Sequence, residues 1–166
     1  MMKKMIIAAI AVPLLTACGF TPMHGGAISG NAAKFEDISI QINDGRDAGD
    51  KEAGFLVMQR LRDRIGENTG KHILDLTPRL RRQRLGISAD DVASRYDSVL
   101  DINYKLIEAE SGKILDKGKV KGTTTFGAPN DPYGLVAANN NAEQQIAKEV
   151  ADRLLLKLAG YYADNP

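Results

Sequence analysis

Tryptophan is missing from the 166 residues, aromatic side chains make up 5% of them, histidine occurs twice and cysteine once. Each shortage removes a class of function. One thiol cannot close an internal disulfide, and with only His24 and His72 beside it no Cys/His set exists for zinc. His24 sits among small residues and His72 at the start of a strand-like run, so both read as surface residues and not as a base or ligand. Few aromatics argue against an aromatic-rich binding surface. Lysine and arginine total 22 against 21 aspartates and glutamates, net +1, which lacks the basic excess of a general nucleic-acid binder. No Gly-x-Gly-x-x-Gly follows a strand and opens a helix, and Gly25-Gly26 belongs to a loose linker. Asp90-Asp91 has no further acid at metal spacing and reads as a helix start or a solvated loop. Without a nucleophile–base pair the chain reads as no enzyme, with no metal and no cofactor.

Long apolar runs are scarce too. The one present, Met5 to Leu15, follows Lys3 and Lys4 and is interrupted by Pro13. It is too short for a membrane-spanning helix, which needs about 20 residues, and has the layout of a secretory signal. It ends in Leu15-Thr16-Ala17-Cys18, which resembles the bacterial lipobox. On that reading residues 1–17 are removed, the Cys18 thiol takes diacylglycerol and its amine a further acyl chain such as palmitate. A lone thiol at the cleavage point is better explained by lipid than by pairing. Two or more buried acyl chains, at about 0.8 kcal/mol per CH₂, hold a protein on a membrane. Gly19, where an aspartate would favour inner-membrane retention, points by similarity to Gram-negative lipoprotein sorting to the outer membrane. Removing 17 of 166 residues leaves 149, and losing Lys3 and Lys4 takes the net charge from +1 to −1. A chain of that length makes one domain that buries about 68–70% of its unfolded surface.

Residues 18–34, rich in glycine and small residues without periodicity, form a lipidated leader. From Phe35 to Ile42, Ile38, Ile40 and Ile42 alternate with polar residues, which predicts a half-buried strand. Asp50 to Glu67 changes period: Val57, Leu61 and Ile65, flanked by Phe55 and Met58, mark an amphipathic helix with Asp50 as N-cap and Asn68-Thr69-Gly70 as its end. His72 to Leu85 is a second strand. Pro78 cannot donate to a ladder there, so the strand is an edge or is bulged. Gly86 to Ser94 is a loop. Arg95 to Ile107 and Ile114 to Phe126 flank Glu110-Ser111-Gly112-Lys113, the best hairpin signal in the chain. Leu135 to Tyr161 is a long helix on Ile146, Val150, Leu154 and Leu158, with Glu143, Lys148, Asp152, Arg153 and Lys157 facing solvent. The expectation is an α+β fold, two helices packed on one face of a four-stranded mixed sheet in the order β-α-β-β-β-α. A single domain then spans 35–161, with a flexible tail at 162–166.

The binding candidate is Arg79-Leu80-Arg81-Arg82-Gln83-Arg84. Period two puts Arg79 and Arg81 on one face and Arg82 and Arg84 on the other. Guanidinium forks suit phosphate and carboxylate oxygens, so the strip binds a phosphorylated glycolipid or an acidic partner surface; alternatively it is a charged edge that deters aggregation. Lys117, Lys119 and Lys121 repeat every second residue on the fourth strand. They extend the same basic face if the strand order allows, or form a solvated strand face.

Cys18-Gly19-Phe20-Thr21-Pro22-Met23-His24-Gly25 is similar to the Cys-Gly-Phe-x-Pro-Leu-Tyr-Gly opening of alphaproteobacterial LptE, the lipopolysaccharide-assembly lipoprotein. Met23 and His24 depart from it, both in the leader. The strands around Tyr104 and Ser111-Gly112-Lys113, followed by an alanine-rich C-terminal helix, also resemble that family. The resemblance implies a non-enzymatic outer-membrane lipoprotein whose body sits in the lumen of the LptD β-barrel or faces the periplasm. It implies that the protein helps that barrel assemble and helps insert lipopolysaccharide into the outer leaflet. It further implies lipopolysaccharide binding by basic residues at one end of the fold. From charge, the candidates are Arg79, Arg81, Arg82, Arg84, Lys117 and Lys119. The alternative is a generic envelope lipoprotein, a scaffold or accessory subunit of a lipid transporter.

Overall fold

The computed structural model describes residues 35, 37–43, 46–66, 70–87, 93–129 and 131–165. The signal segment, Cys18, the leader with His24, and Asp90-Asp91 lie outside the described residues.

Alternating isoleucines produce the first strand, β1 (Ile38–Ile42), with Ile38 fully buried. Helix α1 (Ala48–Ile65) follows, and the second strand, β2 (His72–Ile87), runs parallel to β1. A parallel pair needs such a crossover. Strands β3 (Ala93–Glu108) and β4 (Ile114–Gly127) then pair antiparallel, and helix α2 (Pro132–Asp164) closes the chain. The sheet order is β1-β2-β3-β4. The fold is the expected α+β arrangement, with both helices on one face of a mixed four-stranded sheet. α1 covers β1 and β2, α2 covers β3 and β4, and the helices pack on each other.

Leu74 and Leu76 from β2, Leu100, Ile102 and Leu106 from β3, and Val120 from β4 point into the core. Val57 and Leu61 of α1, with Ile146, Val150, Leu154 and Leu158 of α2, meet them from above. At about 1.5 Å per residue α2 is roughly 50 Å long, which matches a 16-residue strand at about 3.3 Å per residue. It therefore runs the full length of the sheet, whereas α1 covers only part.

Several expected boundaries move. α1 is capped by Asp47, whose Oδ1 accepts the Asp50 N–H at 2.9 Å. Asp50 is not the N-cap; it lies one turn inside, buried. The helix ends at Gly66, where φ is +80° and the N–H donates to the Arg62 carbonyl at 2.8 Å. Phe55 stands off the stripe and is half exposed. β2 and β3 run further than expected, to Ile87 and from Ala93, and thus intrude on the loop placed at 86–94. They pair from His72↔Glu108 to Ile87↔Ala93, a longer hairpin than the β3–β4 one. α2 starts three residues early because Asp131 caps it, accepting the Gly134 N–H at 2.7 Å, with Pro132 in the first turn. It also ends later than expected. The tail placed at 162–166 loses its first three residues to the helix, because Tyr162 continues the buried stripe and its ring meets Phe35 edge-on at 5.9 Å.

Pro78 shows why β2 tolerates a proline. β1 pairs only with His72–Leu76, so from Pro78 onward β2 has no strand on that side among the described residues. Asn43 donates its N–H to the Leu76 carbonyl at 2.9 Å, so Leu76, and by alternation Pro78 and Leu80, direct their backbone groups away from β3. The missing amide would have faced no strand. The strand is interior in its first half and an edge in its second. Gly54 lets α1 close on the proline; a Cβ there would stand 2.8 Å from Pro78 Cγ.

Candidate functional site

Register sorts the expected cations onto two faces. Leu74, Leu76, Pro78, Leu80, Arg82 and Arg84 share the helix-covered face of β2, and Arg79 and Arg81 the open one, as the period predicts. On β4, Lys117, Lys119 and Lys121 lie on the open face, opposite Lys105, Asn103 and Asp101. The strand order thus puts the lysine row on the face of Arg79 and Arg81, with β3 between them. The rows are two strand spacings apart, about 9–10 Å.

Asp101 occupies the middle. Arg79 faces it from β2 and Lys121 from β4. Its side chain is 4% exposed although neither described helix covers this side of the sheet. Long cationic side chains bury it: Arg81 donates Nη2 to Oδ2, and Lys119 Nζ stands 3.0 Å from Oδ1, in ion-pair range but off the direction of a hydrogen bond. A carboxylate removed from water needs such partners. Arg81 and Lys119 are therefore partly neutralised, whereas Arg79, Lys117 and Lys121 form no ion pair among the described residues. Asp97 accepts from the Thr125 hydroxyl at 2.5 Å, and Asp75 from the Asn43 amide at 2.5 Å. What remains is an open, positively weighted face able to hold phosphate or carboxylate oxygens.

Arg82 has a different task. It donates Nη2 to Glu143 Oε1 of α2, and the Glu143 side chain is 5% exposed. Sequence reading placed Glu143 in solvent. Its spacing from Ile146, Ala147 and Val150 instead puts it on the buried stripe of α2, and Arg82 compensates its charge. Ser98, beside Arg82 in register and fully buried, has an Oγ without a hydrogen-bond partner among the described residues. Arg84 lies further out, opposite Tyr96, whose ring stacks on Phe126 at 5.5 Å. The six candidates are thus divided: Arg79, Arg81, Lys117 and Lys119 come together on the open face, while Arg82 and Arg84 lie on the other side.

Asp101, Glu143 and Asp50 were missed as organising residues. Asp101 carried one signal, a charge directly between Leu100 and Ile102, but nothing local foretold its burial. Two tyrosines are also held neutral: Tyr104 is pushed up to about 12 by burial and then by its hydrogen bond to Asp116 at 3.0 Å. Tyr162 is pushed up to about 12 by burial, then by Tyr161 and Asp37. Its hydroxyl pairs with His72 Nδ1 at 3.1 Å, which accounts for the histidine at the strand start. Among the described residues no cluster of His, Cys, Asp and Glu could hold a metal, and no helix is long and apolar enough to cross a membrane.

Solved structures share this fold. A lipoprotein from Caulobacter crescentus CB15 superposes with a TM-score of 0.65 at 24% identity, covering 82% of this chain and 98% of its own. The rare lipoprotein B from Shewanella oneidensis gives 0.56 at 18% identity, covering 76% and 96%. A lipoprotein B from Nitrosomonas europaea gives 0.57 at 12%, covering 78% and 85%. No curated protein sequence matches the chain. Residues 35–158, from the start of the sheet through most of α2, match the lipopolysaccharide-assembly family LptE, and the chain belongs to that family.

Proposed function

We propose that the chain is a non-catalytic outer-membrane lipoprotein, anchored by lipid at Cys18. Its folded body docks in an LptD-type β-barrel, assists that barrel's assembly, and takes part in moving lipopolysaccharide to the outer leaflet. Family membership over residues 35–158 supports the assembly role. The observation that carries the binding role is the open sheet face, where Arg79, Lys117 and Lys121 form no ion pair among the described residues and Arg81 and Lys119 share one buried carboxylate. Such cations compete for phosphates that divalent ions otherwise bridge. Arg82 is a stabilising residue, and Arg84 reaches anions only from the other side.

Pull-down of the full chain from detergent-solubilised outer membrane tests the partner: a stoichiometric large β-barrel is expected, and an inner-membrane transporter in its place overturns the reading. Arg79→Ala with Lys117→Ala tests the ligand role. Purified lipopolysaccharide should bind the folded double variant more weakly, and unchanged binding removes the open face from the site.

A further inference from the structure

β4 is the outer strand on the side away from β1, so among the described residues one row of its backbone groups faces no neighbouring strand. Two hydrogen bonds identify that row. Arg153 of α2 donates Nη1 to the Lys121 carbonyl at 2.7 Å, and the Lys117 N–H donates to Asp116 Oδ1 at 2.8 Å. Successive strand residues alternate, so Lys117, Lys119 and Lys121 all direct their amides and carbonyls outward. The two caps bracket a gap. Between them the Lys117 carbonyl, both backbone groups of Lys119 and the Lys121 amide have no protein partner among the described residues.

Beside this gap a surface groove opens between α2 and the strand. Two adjoining cavities of about 480 and 460 Å³ share Lys119, Leu156 and Lys157. They reach Arg153 at one end and Gly160 with Tyr161 at the other. A Cβ on Gly160 would meet nothing within 4 Å, so the groove is open there. Leu156 is 59% exposed in its middle. Cations dominate its walls: Lys117, Lys119, Lys121 and Lys157, with Arg153 held by Glu149 at 2.6 Å. Two acids also line it: Asp116 is already occupied by Tyr104 and the Lys117 amide, and Asp164 lies at the far end, beyond Gly160.

We propose that the β4 edge between these caps takes an extended acidic segment of a partner protein as a fifth strand. Strand addition supplies backbone hydrogen bonds for affinity and alternate side chains for specificity. Carboxylates at every second position would lie beside the lysine row on the open face, and the intervening apolar side chains over Leu156. The same lysines repel a second copy of β4, so the edge selects an acidic strand and rejects itself. The inference does not rest on lipopolysaccharide binding, although Lys117 and Lys119 belong to both readings.

The probe is a fluorescein-labelled Glu-Val-Glu-Val-Glu peptide, titrated onto the full chain in detergent. It is compared with a Lys-Val-Lys-Val-Lys peptide and with an acidic peptide N-methylated at alternate amides. The acidic peptide should bind and slow hydrogen exchange at the Lys119 and Lys121 amides, and the basic one should not bind. Backbone N-methylation should cost about tenfold or more, the scale of one or two hydrogen bonds. Lys119→Pro, which deletes an outward amide and is tolerated on an edge, should cost as much, while Lys119→Gln should cost less and only at low salt. Equal binding of the N-methylated peptide means capture of any polyanion and overturns the proposal, as does failure of the acidic peptide to bind. If Lys119→Pro does not fold, the N-methylated peptide on the unaltered chain still decides. Lipopolysaccharide binding measured in parallel separates the two readings, because Lys119→Gln should weaken it no less than Lys119→Pro.

Discussion

The carboxylate of Asp50, buried in the first turn of α1, accepts the backbone N–H of Leu80 at 2.6 Å on the stretch of β2 that β1 does not reach. It also accepts the Arg46 N–H at 3.0 Å. One side chain thus closes the sheet edge next to Pro78 and fixes the helix against it. Hydrogen bonds to a charged acceptor contribute about 1.5–3 kcal/mol each, and a buried amide left without a partner costs more than the bond itself. Asp50→Ala should therefore lower stability by about 2–4 kcal/mol, read as a shift in the urea midpoint with unchanged slope. Asp50→Asn, which keeps an acceptor oxygen, should lose less.

Arg82 and Glu143 form the second tie. Breaking a buried pair by removing one partner costs about 3–5 kcal/mol, but Arg82 is 43% exposed, so water tempers the loss. Arg82→Met should cost about 1–3 kcal/mol in equilibrium unfolding. Adding Glu143→Gln should restore part of it, because an amide tolerates burial better than a lone carboxylate. A double variant no more stable than Arg82→Met would show that the pair is not coupled.

On the open face, Asp101→Asn should act in the opposite direction on binding. It releases Arg81 and Lys119 from a shared carboxylate, leaving five cations available to an anion. A gain of about 0.5–1 kcal/mol, or two- to fivefold in affinity for lipopolysaccharide, is expected at low salt and should fade as salt rises. Loss of affinity in a folded variant would mean that Asp101 positions the cations and does not merely neutralise them.

Alkaline titration should reveal the two buried tyrosines. Free tyrosine ionises near 10, while Tyr104 and Tyr162 are pushed up to about 12 in the fold. The folded state holds these protons more tightly, so their contribution is complete below pH 10 and is lost as pH rises toward 12. Unfolding followed from pH 9 to 12 should show falling stability, and Tyr104→Phe or Tyr162→Phe should flatten that fall. An equally steep decline in both variants would assign it elsewhere.

The element order, the sheet class and the face of each arginine were legible because periodicity is a local property. Ile38, Ile40 and Ile42 alternate, Val57, Leu61 and Ile65 recur by four, and each run has one way to bury its apolar side. Boundaries were less legible. Asp47 and Asp50 are equally plausible caps by type, and only the approach of β2 decides that the second is buried. Tyr162 looked like tail until Phe35 and His72 were placed beside it.

The sequence by itself determined which elements form, which side of β2 each cation occupies, and the family resemblance at Cys18 to Gly25. The tertiary structure decided which cations are left for a ligand. Asp50 reaches Leu80 across 30 residues and Arg82 reaches Glu143 across 61, distances over which no periodic pattern carries information. Whether a charge is free depends on what desolvates it and what pairs with it. Both are properties of strand order and helix placement, so Arg82 became a stabilising residue while Arg79 and Lys121 remained open on either side of a buried aspartate.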